Sequence, residues 1–224
     1  FVGIHRKLYA LNATTGKKEW EFEGTSQVND PSIGLLGMIY FGSRSGKIYA
    51  IDVRTGTRKW EARTEKQVAS APAVGKNGTV YVGSYDGNVY ALNGETGAKK
   101  WEFRIGAFFE SETAIGPDGT IYVGGGLSKR VFGIDGATGK KKWEFGTRAS
   151  IYNSPAIGDD GTVYIADDEK TLYALDVINL ETYLLDGIKH SSPTLKWVYE
   201  SDNRLGISNP TIGSNGTVYI TTSD

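Results

Sequence analysis

Short polar side chains recur along this chain at intervals of roughly 41 residues, and they are the first groups that could bind a ligand. One set, two positions before a recurring proline site, comprises Asn29, Ser70, Ser111, Asn153 and Ser208. The next position carries Asp30, Ala71, Glu112, Ser154 and Asn209. Hydroxyl, amide and carboxylate groups brought together suit a hydrogen-bonding ligand such as a carbohydrate or a peptide. The alternative is that converging strands need short side chains around a water-filled channel.

Three aromatic residues stand near these polar positions without equivalents in the other segments. They are Phe108, Phe109 and Tyr152. Aromatic side chains beside polar groups are typical of ligand sites. The alternative is that the three rings cap the core locally.

Metal and nucleophile chemistry have weak support. The run Asp167-Asp168-Glu169 offers the oxygens that Ca²⁺ prefers, but it sits in a short turn without the spacing of a known calcium loop, which favours a solvated turn. The two histidines, His5 and His190, are predicted on opposite faces and cannot share an ion. The chain has no cysteine, so thiol catalysis and disulfides are excluded.

Composition is that of an ordinary folded domain. Apolar residues make up 39% of the 224 residues, and the net charge of −1 gives no attraction to nucleic acid or to anionic membranes. No apolar run approaches the ~18 residues of a membrane span, so membrane insertion is not expected. Because the only methionine is Met38, we expect a mature form or a piece of a longer precursor.

The elements that position these groups are indicated by an internal repeat. A phrase of the form Asp52-x-x-Thr55-Gly56-x-x-x-Trp60 recurs, and its tryptophans are Trp20, Trp60, Trp101, Trp143 and Trp197. Short β-branched and aromatic runs alternate with Asx-Gly pairs such as Asn77-Gly78, for which we predict type I′ hairpin turns. Four strands in about 41 residues describe a propeller blade.

The sequence therefore predicts an all-β fold, a β-propeller of four-stranded antiparallel blades that forms a single domain over residues 1–224. Each blade has strands A to D, and the recurring prolines precede strand A, at a sheet edge where proline is tolerated. Five blades close if the last A and B strands share a blade with the first C and D strands. The alternative is an open arc of a larger propeller, because the first three residues duplicate part of a B strand.

The repeat resembles the tryptophan-docking motif of the pyrroloquinoline quinone propeller family. That family includes quinone-dependent alcohol dehydrogenases and non-catalytic members such as outer-membrane assembly lipoproteins of the BamB type and sensor domains of some kinases. The resemblance implies that the five tryptophans pack between neighbouring blades and that the Asp or Asn eight residues before each of the first four fixes the turn. It also implies a bacterial, extracytoplasmic protein, periplasmic or at the cell surface.

The function favoured by the sequence is a non-catalytic scaffold that binds a protein or carbohydrate partner. All five tryptophans belong to the repeat, so none is spare to stack on a quinone, and the paired cysteines of the family's alcohol dehydrogenases are absent. Neither quinone nor calcium is expected as a cofactor. The alternatives are a quinone-dependent dehydrogenase, or a fragment of one, and the sensor module of a larger receptor.

The fifth copy departs from the repeat through an insertion at about residues 177–194, between Asp176 and Trp197, and it lacks the Thr-Gly pair. We expect this loop either to fold back on its blade or to contact a partner. Its candidate partner residues are Leu180, Tyr183, Leu184, Leu185 and Ile188.

Overall fold

The computed structural model describes residues 1–68, 70–106, 111–185, 188–203 and 209–222, and the predicted site residues Phe108, Phe109 and Ser208 lie outside those ranges. The chain divides into two compact units, Phe1–Arg104 and Ile105–Asp224, and each is described by itself. Apart from one 3-10 turn at Leu35–Gly37, the regular elements of the described residues are all β-strands. None of the described residues forms a helix long and apolar enough to cross a membrane.

The first unit contains three antiparallel sheets, in the orders β1-β2-β3, β4-β5-β6-β7 and β8-β9-β10-β11. Their strands are β1 Val2–Ile4, β2 Lys7–Leu11, β3 Lys18–Glu23, β4 Ser32–Ile33, β5 Met38–Gly42, β6 Lys47–Asp52, β7 Arg58–Arg63, β8 Ala73–Val74, β9 Thr79–Gly83, β10 Asn88–Asn93 and β11 Lys99–Arg104.

The second unit contains two four-stranded sheets, β12-β13-β14-β15 and β16-β17-β18-β19, and a two-stranded sheet, β20-β21. Their strands are β12 Ala114–Ile115, β13 Thr120–Gly124, β14 Arg130–Asp135, β15 Lys141–Gly146, β16 Ala156–Ile157, β17 Val163–Ala166, β18 Thr171–Leu185, β19 Ile188–Glu200, β20 Thr211–Ile212 and β21 Val218–Tyr219.

The order of strands in the complete sheets is the predicted order A to D, so the four-stranded antiparallel architecture is confirmed. The prolines at 31, 72, 155 and 210 each stand directly before the short first strand, at the edge of its sheet. The closing of five blades into a ring, and the sharing of one blade by the two ends of the chain, stay predictions.

The two middle strands of the complete sheets form the core, and within each unit neighbouring sheets pack face to face. Tyr40 and Ile48 of one sheet pack in one buried cluster with Val80 and Tyr90 of the next. Strand β9, Thr79–Gly83, is buried at all five positions. A strand covered on both faces needs a continuous apolar run, and that is how these strands read in the sequence.

The predicted type I′ turns at the Asx-Gly pairs are wrong. Gly78 has a positive φ of 74°, but Asn77 does not. The N–H of Gly78 donates to the carbonyl of Gly75, and Asn77 Oδ1 accepts the N–H of Thr79. This is a type I turn followed by a left-handed glycine, in which the asparagine caps the turn with its side chain rather than by adopting positive φ.

The turn between the third and fourth strands depends on its leading Asx residue. Asp135 Oδ1 accepts the N–H groups of Ala137 and Thr138, and the N–H of Gly139 donates to the Asp135 carbonyl. In their own copies, Asn12, Asp52 and Asn93 likewise accept the N–H groups of the residues two and three positions after them. The Asx side chain thus satisfies turn donors that would otherwise depend on water.

This turn also holds the tryptophan of the preceding sheet. A Cβ added to Gly56 would lie 2.8 Å from the ring of Trp20, and Trp20 Nε1 donates to the Val53 carbonyl at 3.0 Å. Trp60 packs in the same way on Gly97 and donates to the Gly94 carbonyl at 2.8 Å. Glycine is needed at positions 56 and 97 for two reasons, because φ is positive there and because the tryptophan ring leaves no room for a Cβ.

We predict that Gly56→Ala destabilises the protein more than Gly16→Ala. Both glycines have φ of 69°, so both variants carry the same left-handed strain of about 1–2 kcal/mol. Only Gly56 also meets a ring, since nothing lies within 4 Å of a Cβ on Gly16. We expect an additional loss of about 1–3 kcal/mol in Gly56→Ala from forced displacement of Trp20. Denaturant unfolding measures both, and equal losses would contradict the role assigned to the ring.

We predict that Asp135 stabilises the fold in a pH-dependent way. Hydrogen bonds from the Thr138 hydroxyl and from backbone N–H groups lower the pKa of this carboxyl below its usual value near 4. A lowered folded pKa means that the contribution is fully present above about pH 4 and is lost as pH falls through the folded pKa. Unfolding free energy measured from pH 7 to pH 2 should fall less in Asp135→Asn, since an amide oxygen keeps the acceptor without titrating. An identical pH dependence in the variant would refute this.

Candidate functional site

The predicted channel-mouth residues of the second unit are joined by a chain of hydrogen bonds across three sheets. The N–H of Glu112 donates to Ser154 Oγ at 3.0 Å, and the N–H of Ser154 donates to Asn209 Oδ1 at 2.7 Å. The buried Ser111 hydroxyl accepts the N–H of Gly124 and donates to the Glu112 carbonyl. Most of these polar groups therefore satisfy one another.

Two buried acceptors at this place have no hydrogen-bond partner. They are Asn153 Oδ1, on a residue that is 3% exposed, and Thr113 Oγ1. A buried polar atom without a partner loses its hydration, so a donor from water or a ligand would stabilise it. Thr113 is absent from the sequence prediction. The sequence could have identified it, because Thr113 occupies the position at which the other copies have the proline before strand A.

In the first unit, Asn29 Nδ2 donates to the Val68 carbonyl at 2.8 Å, which ties together the loops that precede two neighbouring sheets. The buried Ser70 hydroxyl has no partner, and Asp30 is exposed. The remaining aromatic candidate, Tyr152, is half-buried in the second unit.

The acidic run at residues 167–169 is used by its own turn. Asp167 is fully buried, and its Oδ1 accepts the N–H groups of Glu169, Lys170 and Thr171. Its Oδ2 accepts the hydroxyl of Tyr173. Within the described ranges, no cluster of three or more His, Asp or Glu residues is placed to hold a metal ion.

The insertion is a β-hairpin rather than a loop. Strands β18 and β19 have 15 and 13 residues, and their pairing continues from the blade through Glu181↔Ser192 to Leu185↔Ile188. We call this segment, residues 177–194, the ribbon. His190 lies on β19 opposite Tyr183, and the two rings stack with their centroids 5.4 Å apart.

A wide bulge marks the place where the ribbon leaves the blade. The pairing passes from Asp176↔Thr194 to Glu181↔Ser192, so residues 177–180 face a single residue of β19. Asp176 Oδ1 accepts the N–H groups of Ile178 and Asn179, as in the Thr-Gly copies. The Asx cap therefore survives the loss of the Thr-Gly pair.

Leu180 stands four residues after Asp176, at the position of Gly56 after Asp52. Together with Val177 it packs on the buried cluster that contains Trp143, which is 1% exposed. Leu180, a candidate partner residue, is therefore used inside the chain. The side chains of Leu184, Leu185 and Ile188 lie outside the described part, whereas Tyr183 is exposed.

Sequence reasoning missed the hairpin and the apolar side chain of Ile178, which at 70% exposure is the most exposed apolar one among the described side chains of the hairpin. The pair Asp186-Gly187 between the apolar runs Tyr183–Leu185 and Ile188 is a hairpin signal of the kind used elsewhere in the chain. Counting that pair would have predicted two strands in place of a loop.

A groove of about 360 Å³ opens beside the bulge. It is lined by Pro117, Asp118, Tyr122, Lys142, Gly161, Val177, Ile178 and Leu180. Asp118 pairs with Lys142 at 2.9 Å. Burial disfavours the charge on Asp118, but hydrogen bonds from Thr120 and Lys142 outweigh it and lower its pKa to about 2. The groove thus combines apolar lining residues with an ion pair that is charged at neutral pH.

The last tryptophan differs from the others. Trp197 is 42% exposed and lines an apolar depression with Leu172, Tyr199 and Tyr219. The ring of Tyr164 lies 5.6 Å from it.

A family model described as outer membrane protein assembly factor BamB matches residues 1–176 and 107–224, which together span the chain. This match confirms the resemblance drawn from the repeat. No curated protein sequence matches the chain.

Two solved structures share the fold. BamB from Moraxella catarrhalis has a TM-score of 0.71 and 19% sequence identity over 92% of this chain and 62% of that chain. A chain of the mitotic checkpoint complex has a TM-score of 0.75 and 15% identity over 97% of this chain and 65% of that chain. At these identities the likeness shows the fold alone, and it confirms the predicted β-propeller. The chain spans less than two thirds of either protein.

Proposed function

Because the chain belongs to the family of the outer membrane protein assembly factor BamB, we propose that it is a non-catalytic propeller scaffold that binds a protein partner through the ribbon. The family description names an assembly factor of outer membrane proteins, which supports an extracytoplasmic, bacterial setting. It equally supports a role in protein assembly, in which a rigid propeller presents a binding element.

The observation that carries the proposal is the ribbon itself. Two strands continue past the end of the blade, where the other described copies make a five-residue turn such as Val53–Thr57. Projecting segments on a rigid scaffold are where binding residues concentrate. The exposed Ile178 and Tyr183 give this projection apolar contact area.

The geometry of the described residues offers little to a catalytic function. The carboxylate of Asp167 is occupied by its own turn, and the rings of Trp20 and Trp60 lie against glycines of the next sheet. A quinone site needs an aromatic ring that can stack on the quinone and oxygens that can bind its cation, and Trp20, Trp60 and Asp167 are engaged elsewhere. The absence of catalysis stays a proposal.

A second candidate is carbohydrate binding at the channel mouth. The unpartnered Asn153 Oδ1 and Thr113 Oγ1 favour it, because sugar hydroxyls donate to such buried acceptors. Glu112, Ser154 and Asn209 already bond in a chain beside them, so a ligand there would meet an ordered rim.

We predict that replacing residues 177–194 by the five-residue turn Val53–Thr57 abolishes partner capture without unfolding the protein. The exchange restores a glycine at the position of Leu180, where Gly56 and Gly97 lie against a tryptophan in their copies. Immobilised wild-type and variant chains are compared for retained envelope proteins by quantitative mass spectrometry.

The matched control replaces Ala13–Lys17 by the same five residues, a turn-for-turn exchange away from the ribbon. It should leave capture unchanged. Circular dichroism and unfolding midpoints show that both variants are folded. Equal capture by the ribbon variant and the wild type would overturn the proposed function.

Thermal unfolding with added ligands separates the scaffold from the other two functions. A ligand at about 100 times its dissociation constant should add ~2.7 kcal/mol to the folded state. We expect no shift of the midpoint with pyrroloquinoline quinone and Ca²⁺, and a saturable shift would contradict the non-catalytic proposal. A shift with an oligosaccharide that Asn153→Ala removes would favour the second candidate.

A further inference from the structure

We propose that the outer edge of β18 in the ribbon binds its partner by strand addition, and that the added segment is an extended stretch with an apolar anchor residue flanked by Lys or Arg. This inference rests on the proposed function and specifies its chemistry. Three features support it, namely a free strand edge, an adjoining groove and exposed carboxylates.

The edge is open because the ribbon outgrows its sheet. Strand β17 pairs with β18 only from Leu172 to Leu175, and beyond Asp176 the described pairing of β18 is with β19 alone. In an antiparallel pair, alternate residues direct N–H and C=O away from the partner. Residues 181–185 therefore present backbone donors and acceptors that another strand can pair with.

The two edges of the ribbon are protected unequally. The β19 segment carries Lys189 and Pro193, residue types that blunt an edge, and Pro193 is buried. The β18 segment reads Asn179-Leu180-Glu181-Thr182-Tyr183-Leu184-Leu185, without proline or lysine. An added strand is therefore expected on the β18 side.

The groove adjoins this edge. Ile178 lines the groove three residues before the free edge begins, and its Cδ1 lies 3.1 Å from where a Cβ on Gly161 would be. Tyr122 and Pro117 also line it. A strand that pairs along residues 181–185 and continues past the bulge would bring a side chain to these apolar groups. The volume of about 360 Å³ accommodates one large apolar residue.

Carboxylates stand on the ribbon and in the turn that contains the groove residue Gly161. Glu181 and Asp159 are exposed, and neither belongs to an ion pair among the described residues. Asp160 pairs with Lys196 at 3.0 Å and Asp118 with Lys142, so both of those lysines are already neutralised. The unbalanced carboxylates favour cationic residues in the partner segment, mainly through the association rate.

The test uses the whole chain and fluorescent probe peptides in an anisotropy titration. The main probe alternates Val and Thr between terminal lysines. A second probe has the same side chains but N-methyl groups on alternate residues, which removes the strand-pairing donors. A third has glutamates in place of the lysines. We expect saturable binding of the first probe and about tenfold weaker binding of the other two.

Two substitutions, each with a matched control, test whether the probe binds at this edge and groove. Glu181→Lys should weaken binding of the lysine-flanked probe and reduce its dependence on salt, whereas Glu95→Lys, at an exposed turn of the first unit, should change neither. Ile178→Ser should weaken binding by removing one wall of the groove. Its control is Ile33→Ser, which alters an isoleucine of similar exposure, 65% against 70%.

The outcomes separate the inference from the proposed function. Equal binding of the methylated and unmethylated probes would overturn strand addition, because it would mean docking by side chains alone. Failure of the wild type to bind any of the three probes would also overturn it. Neither result bears on the proposed function, for which the deciding test of partner binding is the ribbon exchange.

Discussion

The contact between a tryptophan ring and a glycine of the next sheet is the constraint on which the repeat depends. Trp20 lies on Gly56 and Trp60 on Gly97, and each indole N–H is satisfied by a carbonyl of the same turn. A ring that close tolerates no Cβ, and a turn with φ near 70° tolerates few residues other than glycine. The Thr-Gly pair is therefore fixed by its neighbour as much as by its own turn.

The fifth copy meets that constraint differently, and its blade changes shape as a result. Leu180 takes the position of the glycine and packs with Val177 on the Trp143 cluster, so apolar side chains supply the cover that backbone supplies elsewhere. Because the turn no longer has to be tight, the two strands can continue outward. The Asx cap at Asp176 is retained at the place where the ribbon leaves the blade.

The parts of the fold that could be predicted from sequence are those that repeat. Tryptophan spacing and apolar runs gave the four-stranded sheets and the edge position of the short first strands. The turn type was wrong because an asparagine such as Asn77 can cap a turn with its side chain, a choice that the pair Asn-Gly alone does not reveal. The ribbon was missed because a single Asp186-Gly187 pair has no second copy to reinforce it. The unpartnered atoms of Asn153 and Thr113 depend on packing across sheets, which one sequence does not show.

The two candidate surfaces differ in how far their polar groups are already satisfied. At the channel mouth, Glu112, Ser154 and Asn209 bond to one another, so a ligand gains only the few acceptors left over. Along the ribbon the unmet groups are backbone groups in a regular row, and they can be satisfied together by one extended chain. A row of that kind discriminates little between sequences, so selectivity must come from the groove beside Ile178 and from Glu181. With these two features, the open edge would discriminate between extended segments instead of pairing with any exposed strand.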